Sequence, residues 1–418
     1  MSLLIHNVRL DGNPTDIRID RNRFTRIAPG QDEPADTVID GAGFAILPTF
    51  HNGHTHAAMT LLRGYADDMD LETWLNRHIW PLESKLREED VYNGARLACA
   101  EMIRSGTTFF NDMYWHPHGT ARAADAMGLR ADISAVFIDF HDPDKADEER
   151  RNNDALLRAA DRYPDRIRIT LGPHAVYTVS EASLRWAAEV SESRACDIHI
   201  HLAETEEECR NAQESFGCSP VAHLDRNGVL GPRTVAAHVN WVDEKEMDLL
   251  AERGVRVAHN PASNMKLASG SFPYADLAGR GIKVCLGTDG ASSNNNLDMG
   301  ETMKLAALHA KLRYRDPTVL GAEEVFELAT GGAANLFARE SGRIREGMLA
   351  DAMLVNLGHP RLNPGYNLIS DMVYAADSSC IDTVICDGRI LMRGGVIEGE
   401  EEIVAKARES RDYLLGRP

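Results

Sequence analysis

The first fifty residues alternate apolar and polar positions in short runs broken by Gly and Pro. Residues 3–8 form one run, residues 17–20 alternate with period two, and residues 37–40 lead through Gly41 and Gly43 into an apolar run at 45–48. Period two sets one strand face against a core, and Gly and Pro punctuate such strands. From about residue 51 the pattern changes. Apolar runs at 109–110, 135–138, 167–171, 198–202, 235–239, 255–258 and 282–286 alternate with segments of helical apolar spacing, among them 91–105, 183–193 and 245–253. Strand–helix alternation over ~250 residues predicts an α/β fold, a (β/α)8 TIM-type barrel. After Gly347 short strands return at 352–355 and 383–389. The expected organisation is a barrel over residues 51–348 and a small β-sandwich module built from both chain ends, residues 1–50 and 349–418. Residues 400–415 run from glutamates to basic residues, an order that suits a terminal helix. The polar stretch 142–153 reads as a solvated loop or a helix start.

Length agrees with one large barrel plus an attached module, at 418 residues. The charge sum, 45 − 64 = −19, disfavours nucleic acid, whose phosphates need Lys and Arg to neutralise them. Seven cysteines, an odd count without C-x-x-C, indicate neither a disulfide framework nor a thiolate zinc site. The N-terminus lacks a basic segment followed by a long apolar run, and no stretch approaches the ~20 apolar residues of a membrane span. The expectation is a cytoplasmic protein without membrane partners. The apolar, Met-containing stretch 299–312 suits either core or a homo-oligomer contact.

Candidate chemistry gathers at the ends of the barrel strands, where such folds place function. In the segment Thr49–His56, His54 and His56 are two apart, so an extended chain directs both imidazoles to one side. Neutral imidazole ligates zinc and similar ions. His51 falls outside the pair and reads as structural. The strand 198–202 closes on His201, with His199 deeper at the same parity; either could be the ligand on local grounds. Glu204 follows three residues later, where an acid equally suits the start of a helix. The strand 235–237 closes on His238, and 284–286 leads to Asp289, which could instead cap a helix. Each residue has an ordinary structural explanation alone. Four such coincidences at successive strand ends point to a metal site.

These residues resemble the amidohydrolase superfamily. Longer strings are similar to its 5′-methylthioadenosine/S-adenosylhomocysteine deaminase branch: Gly53–Gly64, Trp80–Glu83, Gly172–His174, His259–Leu267 and Gly287–Asn295. The likeness extends over essentially the whole chain. It implies one divalent cation held by His54, His56, His201 and Asp289, zinc by donor type, with iron or manganese as alternatives. It implies a mononuclear site, because the fourth strand, 166–172, has no lysine to bridge two ions. It implies that Asp289 accepts a water proton, that His238 orients the attacking oxygen, and that Glu204 carries a proton to a ring nitrogen, so that C6 of adenine is attacked and ammonia leaves. Glu83 matches the residue that accepts from the ribose hydroxyls, and His174 one that contacts substrate near the ribose or purine. Trp74 and Trp80 suit an apolar 5′-tail or the core. One departure concerns the arginines that grip the amino-acid carboxylate of S-adenosylhomocysteine. Ala135 falls where one would stand, and Arg150 or Arg151 would have to replace the other. Smaller uncharged 5′-groups are therefore expected: methylthioadenosine, 5′-deoxyadenosine or adenosine. Ala352 also departs from the branch's aliphatic residue, within the β-module. Two other readings are a hydrolase of another aminated heterocycle (guanine, cytosine, a pterin or a triazine), which would leave Glu83 without a ribose, and a non-catalytic metal-binding scaffold, which would not need Glu204 and His238.

Overall fold

The computed structural model describes residues 2–416. Five strands come first: β1 (Ser2–Leu10), β2 (Asn13–Asp20), β3 (Arg23–Ile27), β4 (Thr37–Asp40) and β5 (Phe44–Pro48). Eight parallel strands follow: β6 (Phe50–Thr55), β7 (Thr107–Tyr114), β8 (Arg130–Phe137), β9 (Ile167–Pro173), β10 (Ile198–Leu202), β11 (Thr234–His238), β12 (Arg256–His259) and β13 (Lys283–Leu286). Three more close the chain: β14 (Ala352–Asn356), β15 (Ile381–Cys386) and β16 (Arg389–Met392).

The first and last groups share one eight-stranded mixed sheet, ordered β16-β15-β14-β5-β1-β2-β3 with β4 beside β1. Its two halves meet where β14 pairs antiparallel with β5, Ala352 opposite Pro48. Ile5, Val8, Ile17, Phe24, Leu354 and Ile385 fill its buried face. Burying each such side chain fully is worth roughly 1.5–3 kcal/mol. Only Thr49 separates β5 from β6, so sheet and barrel are covalently close-coupled. Arg130 at the start of β8 reinforces the joint, pairing with Asp351 and Asp387 at 2.7 Å each.

Barrel neighbours run in sequence order from β6 to β13. Closure of the barrel uses side chains as well as backbone. Asp289 N bonds His54 O at 2.9 Å. Asn52 accepts from Thr288 N at 3.0 Å and donates to Thr288 Oγ1 at 2.7 Å. Glycine is needed on both sides of this seam. A Cβ on Gly53 would lie 2.4 Å from Cys285 Sγ, and one on Gly287 would lie 2.8 Å from His54 Cβ.

The helices begin where side-chain caps allow. Ser180 caps Glu181–Arg194 and Asp243 caps Glu244–Arg253, each accepting a backbone N–H. The polar stretch near 142 opens a helix, Pro143–Arg158, capped by Asp142. The helix Met299–Tyr314 buries Met299, Met303, Ala306 and Ala310 and leaves Leu308 and Leu312 exposed. The terminal helix Glu400–Leu414 docks on a barrel helix, Glu88–Arg104, through Arg96–Glu402 at 2.6 Å and Asn93–Ser410 at 3.1 Å. No helix among the described residues is long and apolar enough to cross a membrane.

Candidate active site

Strand β10 shows how the sequence builds the site. Ile198, Ile200 and Leu202 join the apolar core cluster, which leaves His199 and His201 for the other face. Both are buried, His199 deeper along the strand. His201 Nε2 lies 3.3 Å from His56 Nε2. His199 instead meets the far side of His54, Nε2 to Nδ1 at 2.7 Å. The structure thus brings His201 into the cluster and makes His199 its buttress. His51 lies apart, bonded through Nε2 to Ser341 Oγ at 2.9 Å.

His54 and His56 each place Nε2 3.3 Å from Asp289 Oδ1. Donor atoms of His54, His56 and Asp289 lie within 4.8 Å of one another, as do those of His54, His201 and His238. The Nδ1 atoms face away from this point and have acceptor partners: Met113 O for His56 at 2.6 Å, His174 O for His201 at 2.9 Å, and Asn264 Oδ1 for His238 at 2.8 Å. A carbonyl takes only an N–H, so each Nδ1 is protonated and each Nε2 keeps a lone pair when the ring is neutral. Among the described residues, buried His54 Nε2 has the Asp289 Oδ1 contact at 3.3 Å but makes no well-formed hydrogen bond. Converging lone pairs beside a carboxylate are what a divalent cation satisfies, and the donor set fits one.

The electrostatics follow from burial and from Asp289. Burial lowers the His54 pKa to about 4, and lowers that of His201 well below its usual value. Burial also opposes charge on His56, but the Asp289 bond and charge outweigh it and lift that pKa to about 9. A cation at Nε2 would displace that proton. Burial would raise Asp289, yet the two histidines hold it well below the carboxylate range. Asp289 Oδ2 also accepts from Ser263 Oγ at 2.6 Å, and Oδ1 from Gly290 N at 2.8 Å.

Glu204 is 6% exposed. Its pKa is raised by burial, partly offset by His238, whose Nε2 is 3.8 Å from Glu204 Oε2. Its backbone is pinned. Glu208 accepts from Ala203 N at 3.0 Å and Glu204 N at 2.8 Å, while Asn240 donates to Glu204 O at 3.0 Å. Ala203, His238 and Asp289 all take positive φ, at 48°, 74° and 62°. Non-glycine residues reach that region at a cost, and such costs concentrate at functional sites.

One cleft joins these groups to Glu83, His174, Trp74 and Trp80. His174 is held by Thr178 Oγ1 at 2.9 Å, and burial lowers its pKa to about 3, so its ring is neutral. Glu83 accepts from Trp115 Nε1 at 3.0 Å, and its pKa is raised by burial. His54, His56, His201, His238, Asp289, Glu204, Glu83 and His174 therefore all border one cavity or its cluster. Reading the chain alone missed Ser263, Asn264, Glu208, Tyr114 and Trp115. Only the first two lie in a string already singled out, His259–Leu267. Val136 at the end of β8 and Ile138 just past it contribute to the wall, and neither Arg150 nor Arg151 lines the cleft.

The model of the amidohydrolase family matches residues 45–391. The chain belongs to the amidohydrolase family. This amidohydrolase is 47% identical, over 99% of both chains, to 5-methylthioadenosine/S-adenosylhomocysteine deaminase 1 of Archaeoglobus fulgidus. It is 49% identical to the 5′-deoxyadenosine deaminase of Methanothermobacter thermautotrophicus, over 92% of this chain and 91% of the relative. Among solved structures, an adenosine deaminase from Xanthomonas campestris with bound zinc superposes with a TM-score of 0.92 at 33% identity, covering 99% of this chain and 98% of that one. Family and donor set together make the protein a metal-dependent hydrolase.

Proposed function

We propose that the protein deaminates adenine nucleosides hydrolytically, giving the inosine analogue and ammonia, with methylthioadenosine, 5′-deoxyadenosine or adenosine preferred. The observation that carries this is the sharing of one cleft by the histidine–aspartate cluster, the buried acid Glu204 and the carboxylate Glu83. The two relatives named as deaminases of such nucleosides support it.

His54, His56, His201 and Asp289 would hold a single ion, zinc by donor type, and β9 offers no lysine for a second. When bound, the cation supplies Lewis acidity that brings a water's pKa toward neutrality. Asp289 would accept the water proton. His238, fixed by Asn264, orients the attacking oxygen through Nε2. Glu204, whose pKa burial raises, delivers its proton to the ring nitrogen beside C6. Glu83 and neutral His174 position the ribose side, and Trp74 and Trp80 exclude water from the 5′-substituent.

The tail preference rests on charge. Among the described residues no Lys or Arg lines the cleft, and the wider groove outside it carries Asp70, Glu72, Glu206 and Glu207. An anionic tail has no bidentate partner there. All seven cysteines are free, which fits a reducing compartment such as the cytoplasm.

The test is a spectrophotometric panel with zinc-loaded protein: methylthioadenosine, 5′-deoxyadenosine, adenosine, S-adenosylhomocysteine, adenine, guanine and cytosine. Loss of adenine absorbance with the small-tailed nucleosides is expected. Turnover of a free base with silence on every nucleoside would overturn the nucleoside reading. A much higher kcat/KM for S-adenosylhomocysteine would overturn the tail preference.

A further inference from the structure

A run of buried amides joins His238 to Glu204 behind the cleft. His238 Nδ1 meets Asn264 Oδ1 at 2.8 Å. Asn264 Nδ2 donates to Asn240 Oδ1 at 2.8 Å. Asn240 Nδ2 donates to the backbone carbonyl of Glu204 at 3.0 Å. On the cleft side His238 Nε2 faces Glu204 Oε2 at 3.8 Å, so the run closes into a loop. Its sense is fixed at the far end. A backbone carbonyl only accepts, so the Asn240 atom beside Glu204 O is nitrogen. The Asn240 oxygen then faces Asn264, which must offer nitrogen there and oxygen to His238. An amide oxygen takes only an N–H, so in the uncharged ring Nδ1 carries the proton and Nε2 the lone pair. Asn260 Nδ2 stands 3.5 Å from the same Nδ1, too long to compete with the 2.8 Å contact. Asn240 and Asn264 are buried, so turning either amide would set oxygen against oxygen with no water to compensate. Packing holds the run in place: a Cβ on Gly270 would lie 2.6 Å from Asn240 Cβ.

We infer that Asn240 and Asn264 set the tautomer of His238 from a distance: the Glu204 carbonyl orients Asn240, Asn240 orients Asn264, and Asn264 keeps the proton on Nδ1. Both asparagines are positioning residues, and neither lines the cleft. Nε2 is therefore an acceptor on the cleft side, and takes an O–H from the attacking oxygen instead of donating to it. The same run holds the main chain of the proton carrier, whose N–H Glu208 grips from the other side at 2.8 Å. This rests on the roles of His238 and Glu204 in the nucleoside reading above and says what fixes them.

The experiment uses zinc-loaded protein with nitrogen-15-labelled histidines: wild type, Asn240→Ala, Asn264→Ala, the double variant and Asn240→Asp, with zinc content and thermal unfolding of each. Long-range proton–nitrogen spectra show which ring nitrogen of His238 bears the proton, its signals being identified by their loss in His238→Gln. The wild type should carry it on Nδ1. Asn240→Ala frees the Asn264 amide to turn, so both tautomers appear and kcat on adenosine falls about 3- to 10-fold with KM held. Asn264→Ala lowers kcat about 10- to 100-fold. The double variant is no worse than Asn264→Ala, because the run is already cut. Asn240→Asp still accepts from Asn264 and restores the single tautomer. A proton on Nε2 in the wild type overturns the inference whether or not any variant folds. So does an unchanged tautomer in Asn240→Ala, or losses that multiply in the double variant, the mark of two merely structural residues. Silence of the wild type on every nucleoside overturns the nucleoside reading, and the spectra still decide for or against the amide run.

Discussion

A carboxylic acid donates a proton only while it still holds one, and burial keeps Glu204 protonated to higher pH than an exposed glutamate. The pH sign follows directly. Activity that needs this proton is present below the raised pKa and lost as pH climbs through it. Glu204→Gln preserves shape but carries no transferable proton, so kcat should fall about 10²- to 10⁴-fold, with zinc content unchanged by elemental analysis and the alkaline limb of the kcat profile gone. Retention of kcat within tenfold or so would remove Glu204 from its role. At this scale the sequence was readable where chemistry follows strand periodicity. His54 and His56 are two apart, and His201, His238 and Asp289 sit at or just past strand ends. The supporting groups were not readable, because each acts across the fold. Asn264 reaches back to His238 from the helix Pro261–Lys266 after β12, and Trp115 reaches Glu83 from just past the end of β7.

Among the elements, the seam between β6 and β13 links fold to site. His54 is a strand residue whose carbonyl closes the barrel and whose ring enters the cluster. In Gly287→Ala the new Cβ would lie 2.4 Å from Asn260 Oδ1, 2.8 Å from His54 Cβ and 2.9 Å from His54 N. Overpacking of this kind costs about 1–3 kcal/mol, so Tm should drop by several degrees and zinc affinity should weaken with it. Gly279→Ala is the control: its Cβ meets nothing within 4 Å, and Tm should barely move. Equal Tm for both variants would mean the seam tolerates separation. Most strands were legible from their apolar runs, but β7 shows the limit. Only Phe109 and Phe110 announce it, whereas the strand spans Thr107–Tyr114 and is buried throughout. Two of its polar members find partners inside the barrel, Asn111 donating to Gly53 O at 3.1 Å and Asp112 Oδ1 accepting from Ala57 N at 2.7 Å. A polar residue whose partner lies on another element looks like a loop residue when read locally.

For the whole molecule, the net charge of −19 becomes specific only where the acids are placed. Composition predicted no nucleic-acid partner but said nothing of the substrate's tail. The structure adds the arrangement: Leu71, Leu75, Trp80, Tyr177 and Leu267 border both the inner cleft and the outer groove, so a long 5′-tail would lead into the groove. Part of that acidity serves the fold. Asp70 caps one helix and Glu207 pairs with Arg210 at 2.8 Å. The potential is present whatever its origin, and a 5′-phosphate would meet it unpaired. Salt separates this repulsion from shape, because the Debye length is about 10 Å at 0.1 M. Adenosine turnover should be nearly flat with ionic strength. Adenosine 5′-monophosphate should be a far poorer substrate whose kcat/KM rises several-fold, roughly, as salt is raised. Glu72→Gln with Glu206→Gln should narrow the gap at low salt and flatten the salt response. If the monophosphate stayed equally poor at every ionic strength and in that variant, the exclusion would be steric, set by the walls of Trp80 and Leu267 rather than by the charge around them.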